Sequence, residues 1–288
     1  MTKTPLLQKL KSASASKKRP DGSSYQSLLF NDEKRLVQET AQSHHQIQEM
    51  ALENGIIPER YARNQRSLST ADQLKLLQAH VIIVGLGGLG GTVTEILARI
   101  GVGSLTLVDG DCFEDSNLNR QLLSSVADLD RSKAEVAAER VSMVNPAVDT
   151  LTVSQFLTPD NYLDLLNNTT LAVDCLDSIP DRFLLEKGCR VVGIPLVSAA
   201  IGGTSGQVLV ILPGDYGLSQ IYGEPGQVPQ KGVEKFLGTL PYTAITMAAL
   251  ECAEVITLIV TKKARLQNRL LIADLSDHSY ELVSFTDR

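Results

Sequence analysis

The sequence predicts a doubly wound α/β fold, and three features of the chain predict it. A β-branched run, Val81-Ile-Ile-Val84, leads directly into glycines at positions 85, 87 and 90. Short apolar runs then alternate with helix-length segments as far as Ser198. Beyond that point the strand-like segments change character, and the last two are separated only by a short polar turn. Strands joined through helices run parallel, whereas strands joined by a short turn pair antiparallel. The expected architecture is a Rossmann-like mixed sheet, parallel in its first half and antiparallel in its second.

Taken in order, residues 1–30 are rich in Ser and Lys, carry no acid before Asp21 and show no clear period, so a disordered basic tail is expected. Residues 31–58 form a helical extension of one or two short helices closed by Gly55 and Pro58; the adjacent His44 and His45 are expected to be solvated, since neighbours on a helix diverge. The first core strand is Val81–Val84, and Thr92–Ile100 continues the helix that the glycines open. Strand Ser104–Val108, helix Ser132–Val144, strand Thr150–Val153 and a helix near Pro159–Leu166 follow. Then come strand Leu171–Cys175, helix Ile179–Gly188 and strand Val192–Ser198. The later strands are Gly206–Leu212, Arg269–Ala273 and Glu281–Phe285, set around a helix at Tyr242–Thr261.

Composition narrows the function. The 288 residues are 43% hydrophobic, enough for a full core, and a net charge of −6 argues against a nucleic-acid surface. Glu251 and Glu254 interrupt the longest apolar stretch, so a buried helix is expected there and no membrane span. Four cysteines without a C-x-x-C pair, and no secretory signal, suit a reduced cytoplasmic compartment.

The glycine spacing is that of a nucleotide phosphate site. The first glycine permits a tight turn, the second lets phosphate approach the backbone, and the third lets helix and strand close together. The N–H groups of the helix start add partial positive charge where phosphates would lie. Asp109 ends the second strand about 20 residues on, where a carboxylate meets ribose hydroxyls. Asn117, Arg120 and Gln121 then fall beside the same pocket, and Arg120 offers a planar fork of donors to phosphate oxygens. Lys133 adds a second cation, with a solvated helix end as its plainer reading. Asp177 follows the fourth strand and suits a magnesium ion bridging phosphates, or else caps the helix that Pro180 opens.

These residues stand in an order that resembles the ThiF/MoeB/HesA family, bacterial relatives of the ubiquitin-activating enzymes. The resemblance is carried by Arg60-Tyr-Ala-Arg63, by Gly85 to Gly90, and by Asp109-x-Asp-x-x-x-x-x-Asn-Leu-x-Arg-Gln121. Ser132-Lys-Ala and Asp174-Cys-x-Asp-Ser-x-x-x-Arg182 continue it, over some two hundred residues. It implies an ATP-binding adenylation domain spanning residues 59–288, acting with Mg2+ on the C-terminal glycine of a small ubiquitin-like sulfur-carrier protein. Gly85, Gly87, Gly88, Gly90, Asp109, Asp111, Asn117 and Gln121 would bind ATP. Arg120 and Lys133 would contact its phosphates, Asp177 would take the metal role, and Arg63 would reach the neighbouring site of a homodimer.

The chain departs from many relatives in lacking both zinc-binding C-x-x-C pairs and a crossover cysteine, since no cysteine lies between Cys189 and Cys252. No zinc and no catalytic cysteine are therefore expected. Cys112 is read as a small buried apolar residue, because no activating base is in view. The Gly/Pro-bearing stretch from Pro213 to Pro241 is either a clamp for an extended tail or a surface loop. Two other readings stay open: an NAD- or FAD-dependent oxidoreductase, and a catalytically silent nucleotide-binding partner of the same fold. The first leaves Arg120, Lys133 and Asp177 unexplained.

Overall fold

A computed structural model describes residues 3–285 apart from 228, 230 and 231. The outermost residues of the expected tail and domain, 1–2 and 286–288, lie outside the described residues. The chain opens with α1 (Lys3–Ala13), β1 (Ala15–Lys18), β2 (Ser24–Leu28), α2 (Phe30–Thr40), α3 (His44–Glu53) and β3 (Ile56–Pro58). A 3-10 turn (Glu59–Asn64) leads to α4 (Thr70–Leu77). The core follows as β4 (His80–Val84), α5 (Gly88–Ile100), β5 (Ser104–Val108), α6 (Lys133–Val144), β6 (Asp149–Val153) and α7 (Tyr162–Leu166). It continues as β7 (Leu171–Asp174), α8 (Ile179–Val192), β8 (Leu196–Gly202), β9 (Ser205–Ile211), α9 (Ser219–Tyr222) and α10 (Glu234–Leu237). Last come α11 (Pro241–Thr261), β10 (Arg269–Asp274) and β11 (Ser279–Ser284).

The main sheet has the strand order β11-β10-β9-β8-β7-β4-β5-β6. From β6 to β8 every pairing is parallel. From β8 to β11 every pairing is antiparallel. The mixed sheet read from the sequence is therefore the sheet observed. Alternation along β4 explains its two-sided burial: Val81 and Ile83 face a core built with α5, α6 and α11, while Ile82 and Val84 face one built with α7 and α8. A strand covered on both faces needs the unbroken apolar run that this one has. α11 is long and apolar enough to cross a bilayer. Here its Met247, Ala248, Cys252 and Val255 pack into the first of these cores.

Three local expectations need correction. Residues 3–28 are not a disordered tail: Leu6 and Leu10, one helical turn apart, bury with Leu28, Leu36, Ile47, Ala51 and Ile56 in a separate small core. β1 and β2 form an antiparallel hairpin, and β2 pairs in parallel with β3, closing a three-stranded sheet under α2 and α3. His44 and His45 are half-buried rather than solvated; His44 Nδ1 lies 2.7 Å from Glu33 Oε1, and His45 Nδ1 lies 3.2 Å from the Ala147 carbonyl. The eighth helix also runs past Gly188 to Val192 and stops at Gly193, whose φ of 76° is left-handed; the strand begins only at Leu196.

The turn between β8 and β9 and the end of β10 are tied by Asp274. Its Oδ1 accepts the Ser276 N–H at 2.9 Å and its Oδ2 accepts the Ser205 hydroxyl at 2.9 Å. The Ser276 backbone N–H, then the Ser276 and Ser205 hydroxyls, hold the Asp274 carboxyl down to about 2. A carboxyl depressed in the folded state stabilises the protein above its ordinary value, and that contribution disappears as pH falls through the depressed one. In acid titrations followed by thermal melting, Asp274→Asn is expected to be less stable at neutral pH. It should also lose less stability than the wild type between about pH 4 and pH 2. Superimposable acid limbs would contradict this.

Candidate nucleotide site

The glycine turn, the ends of the parallel strands and the loop after β5 enclose a cavity of about 400 Å³. It lies at the carboxyl edge of the sheet, where open α/β sheets place ligands. Gly85 and Gly90 have internal reasons to be glycine. Gly85 has a φ of 90°, and a Cβ on it would stand 2.7 Å from the Cys175 carbonyl oxygen. A Cβ on Gly90 would stand 1.8 Å from the Gly85 carbonyl oxygen, so helix and strand meet there backbone to backbone. Gly87 has no such neighbour, since a Cβ would meet only the Gln121 side chain at 3.6 Å. Gly87 lines the cavity, and the space it leaves is cavity space. α5 begins at Gly88, four residues earlier than its apolar pattern indicates, so the glycines themselves form its first turn.

Asp109 binds the turn from below: its Oδ2 accepts the Leu86 N–H at 2.7 Å and its Oδ1 accepts the Asp111 N–H at 2.8 Å. Burial raises the Asp109 carboxyl above the usual range, against the opposing pull of the Leu86 N–H and of Lys133. Each oxygen keeps a lone pair for a ribose hydroxyl. Lys133 opens α6 with its side chain only 7% exposed and its Nζ 3.0 Å from Asp111 Oδ2. Its plain reading as a solvated helix end is therefore set aside.

Asn117 holds the next loop by accepting the Glu114 N–H at 3.1 Å, and the Arg120 guanidinium donates to the Ser116 carbonyl and to Asn119 Oδ1, each at 2.9 Å. Both line the cavity, as do Gln121, Asp111, Gly88 and Asp177. Gln121 is 6% exposed, and its Oε1 has no hydrogen-bond partner among the described residues. A buried carbonyl left in this way has an unmet need for a donor, which a ligand in the cavity can supply.

Asp177 is exposed at the cavity mouth, and it is not the helix cap: Ser178 is, accepting the Asp181 N–H at 3.4 Å. Among the described residues no three His, Cys, Asp or Glu side chains form a metal-binding group. A magnesium ion fits such a site through one carboxylate together with phosphate oxygens and water.

Two expected residues stand elsewhere. Cys112 is exposed, not buried, and does not line the cavity. Cys175, Cys189 and Cys252 are buried, and burial pushes each thiol up. Arg63 is exposed and also absent from the lining. Its neighbour Tyr61 packs on Gly101, which caps the far end of α5, where a Cβ would meet the Tyr61 hydroxyl at 2.4 Å. The 13 residues of α5 separate that end from the glycine turn by about 20 Å.

The cavity also has a back wall that site assignment from the sequence missed. Arg182, Ala200, Ile201, Phe156 and Tyr222 contribute to it. Arg182 is 4% exposed and paired to Asp174 at 2.9 Å. The signal for it was an acid ending an apolar strand with an arginine eight residues later.

A family model described as ThiF family matches residues 61–287. The chain belongs to the ThiF family. It is 34% identical over 232 residues to the SAMP-activating enzyme E1 of Haloferax volcanii, covering 79% of this chain and 85% of that one. It is 32% identical over 198 residues to the Sulfur carrier protein ThiS adenylyltransferase of Escherichia coli, covering 68% and 79%. The fold is that of solved ThiF-type structures. The crystal structure of E. coli MccB with ATP matches with a TM-score of 0.65 at 23% identity, covering 80% of this chain and 71% of that one.

The two glycine roles predict different failures in this ThiF-family chain. Gly90→Ala forces a methyl into a carbonyl and is expected to destabilise the fold by about 2 to 4 kcal/mol. Gly87→Val is expected to melt close to the wild type yet show no calorimetric ATP binding. A Gly87→Val protein that binds ATP normally would show that the phosphates lie elsewhere.

Proposed function

We propose that this chain is an ATP-dependent adenylyltransferase that activates the C-terminal glycine carboxylate of a small ubiquitin-like sulfur-carrier protein. The observation that carries the reading is the gathering of Gly87, Asn117, Arg120, Lys133 and Asp177 around one cavity at the start of α5. Its similarity to the ThiS adenylyltransferase of E. coli and to the SAMP-activating enzyme E1 of Haloferax volcanii supports it.

The chemistry accounts for that gathering. A carboxylate oxygen of the tail attacks the α-phosphorus of ATP, the bond from that phosphorus to the bridging oxygen breaks, and pyrophosphate leaves with the electron pair. Two anions must meet while charge grows on the leaving group. Arg120, Lys133 and the α5 N–H groups lower both costs through charge held in place before the reaction. Asp109 holds the ribose end and Asp111 holds Lys133 near it. Magnesium, carried beside Asp177, neutralises phosphate charge when bound. The carboxylate is already ionised near neutral pH, so no general base is needed.

No step in this scheme calls for zinc or for a cysteine, in keeping with the three buried, high-pKa thiols and the exposed Cys112 away from the cavity. The four free thiols suit a cytoplasmic setting. Arg63 stands too far from its own cavity to serve it, which supports a homodimer in which it completes the partner's site.

In ATP–pyrophosphate exchange with the carrier, Arg120→Ala and Asp177→Ala are expected to lose about 10² to 10³ in rate while keeping wild-type melting. Full activity in either variant would remove that residue from the reaction. Arg63→Ala co-expressed with Asp177→Ala is expected to recover exchange that neither homodimer shows, because one of the two mixed sites carries no defect. A fully active monomer in sedimentation would contradict the shared site.

A further inference from the structure

The turn that carries Asp177 is anchored by a buried pair to which the chemistry above assigns nothing. Leu176 is the residue before Asp177, and both of its backbone polar groups are held. Its N–H donates to Asp174 Oδ1 at 3.1 Å, and its carbonyl accepts from the Arg182 guanidinium at Nη2. The other arm of the same guanidinium, Nη1, donates to Asp174 Oδ2 at 2.9 Å and to the Ala199 carbonyl at 2.8 Å. Ser198 closes the group by donating its hydroxyl to Asp174 Oδ2 at 2.6 Å. One side chain on α8 thus ties together the end of β7, the middle of β8 and the turn between β7 and α8.

Stability alone is a poor reason for this arrangement. A buried ion pair costs several kcal/mol per ion in lost hydration, and well-packed apolar residues of similar size often replace one without loss. The choice of arginine is informative, because a planar fork reaches two carbonyls and a carboxylate at once, whereas a lysine pairs as a point charge.

We infer that Arg182 is a positioning residue: by gripping the Leu176 carbonyl and Asp174 together, it fixes the backbone from which Asp177 reaches the metal and phosphates. The inference rests on the reading of Asp177 as the carboxylate beside magnesium. Partners that orient a metal-binding side chain typically change metal affinity by about 10-fold to 100-fold when removed.

Two variants test it. Arg182→Lys keeps a positive charge facing Asp174 but loses the fork; the double variant Asp174→Leu with Arg182→Met removes both buried charges and is expected to fold where the lysine protein does not. Thermal melting, hydrogen exchange of residues 175–178 and calorimetric titration of magnesium into the ATP-bound protein are the readouts. The expected result is cooperative melting, with exchange at 175–178 faster by about tenfold, the factor for one hydrogen bond of ordinary net strength. Magnesium affinity should fall by about 10-fold to 100-fold. Adding either variant to Asp177→Ala should lower that affinity no further than Asp177→Ala alone does, since Arg182 acts through Asp177.

Wild-type exchange and magnesium affinity in a folded variant would overturn the inference. A loss that adds in full to that of Asp177→Ala would also overturn it, leaving Arg182 a structural ion pair. If Asp177→Ala alone leaves magnesium affinity untouched, the metal reading itself falls and the positioning role falls with it; faster exchange at 175–178 would then mark Arg182 as an anchor of the turn only.

Discussion

The contact on which the site depends is the approach of Gly90 to the carbonyl of Gly85, so close that a single added carbon would lie 1.8 Å from the oxygen. It sets the first turn of α5 directly against the end of β4. Because a helix start presents N–H groups without internal partners, fixing it there places a positive field at one point over the sheet edge. Everything else in the site is arranged around that point. Asp109 secures the turn through the Leu86 N–H, and Asp111 secures Lys133, so acids on one loop hold both backbone and cation in position.

The same economy appears on the opposite wall. Asp174 and Arg182 bury opposite charges behind the cavity, while Glu251 on α11, fully buried, is pushed well above the usual carboxylate range mainly by burial and by Asp174. Arg182 offsets Asp174, whereas Glu251 is held toward its neutral form. Under the proposed function, a cavity for triphosphate and a tail carboxylate gains from having little uncompensated negative charge behind it.

Much of this is legible in the sequence. β4, the glycine turn, Asp109 and the loop to Gln121 lie within 42 residues (80–121) of continuous sequence, and each is marked by a residue type its backbone or chemistry requires. The switch from parallel to antiparallel was legible too, because loop length dictates it. What failed depended on contacts distant in sequence. Residues 3–28 show no useful period, and their order comes from Leu6, Leu10 and Leu28 meeting Leu36 and Ile47. Val192 reads as the start of a strand, but a helix runs through it and ends at Gly193. Cys112 has the composition of a core residue and sits at the surface; Arg182 was visible as a letter, but its grip on the Leu176 carbonyl was not.

The proposed activity joins a tail carboxylate to the α-phosphate of ATP in this cavity. Intact-mass spectrometry of a small carrier protein ending in Gly-Gly, incubated with this chain, ATP and magnesium, tests it most directly. The carrier is expected to gain the mass of one adenylyl group, with pyrophosphate appearing in equal amount, and a carrier lacking its final glycine is expected to gain nothing. An unmodified carrier beside a protein that binds ATP normally, or equal labelling of the truncated carrier, would contradict it.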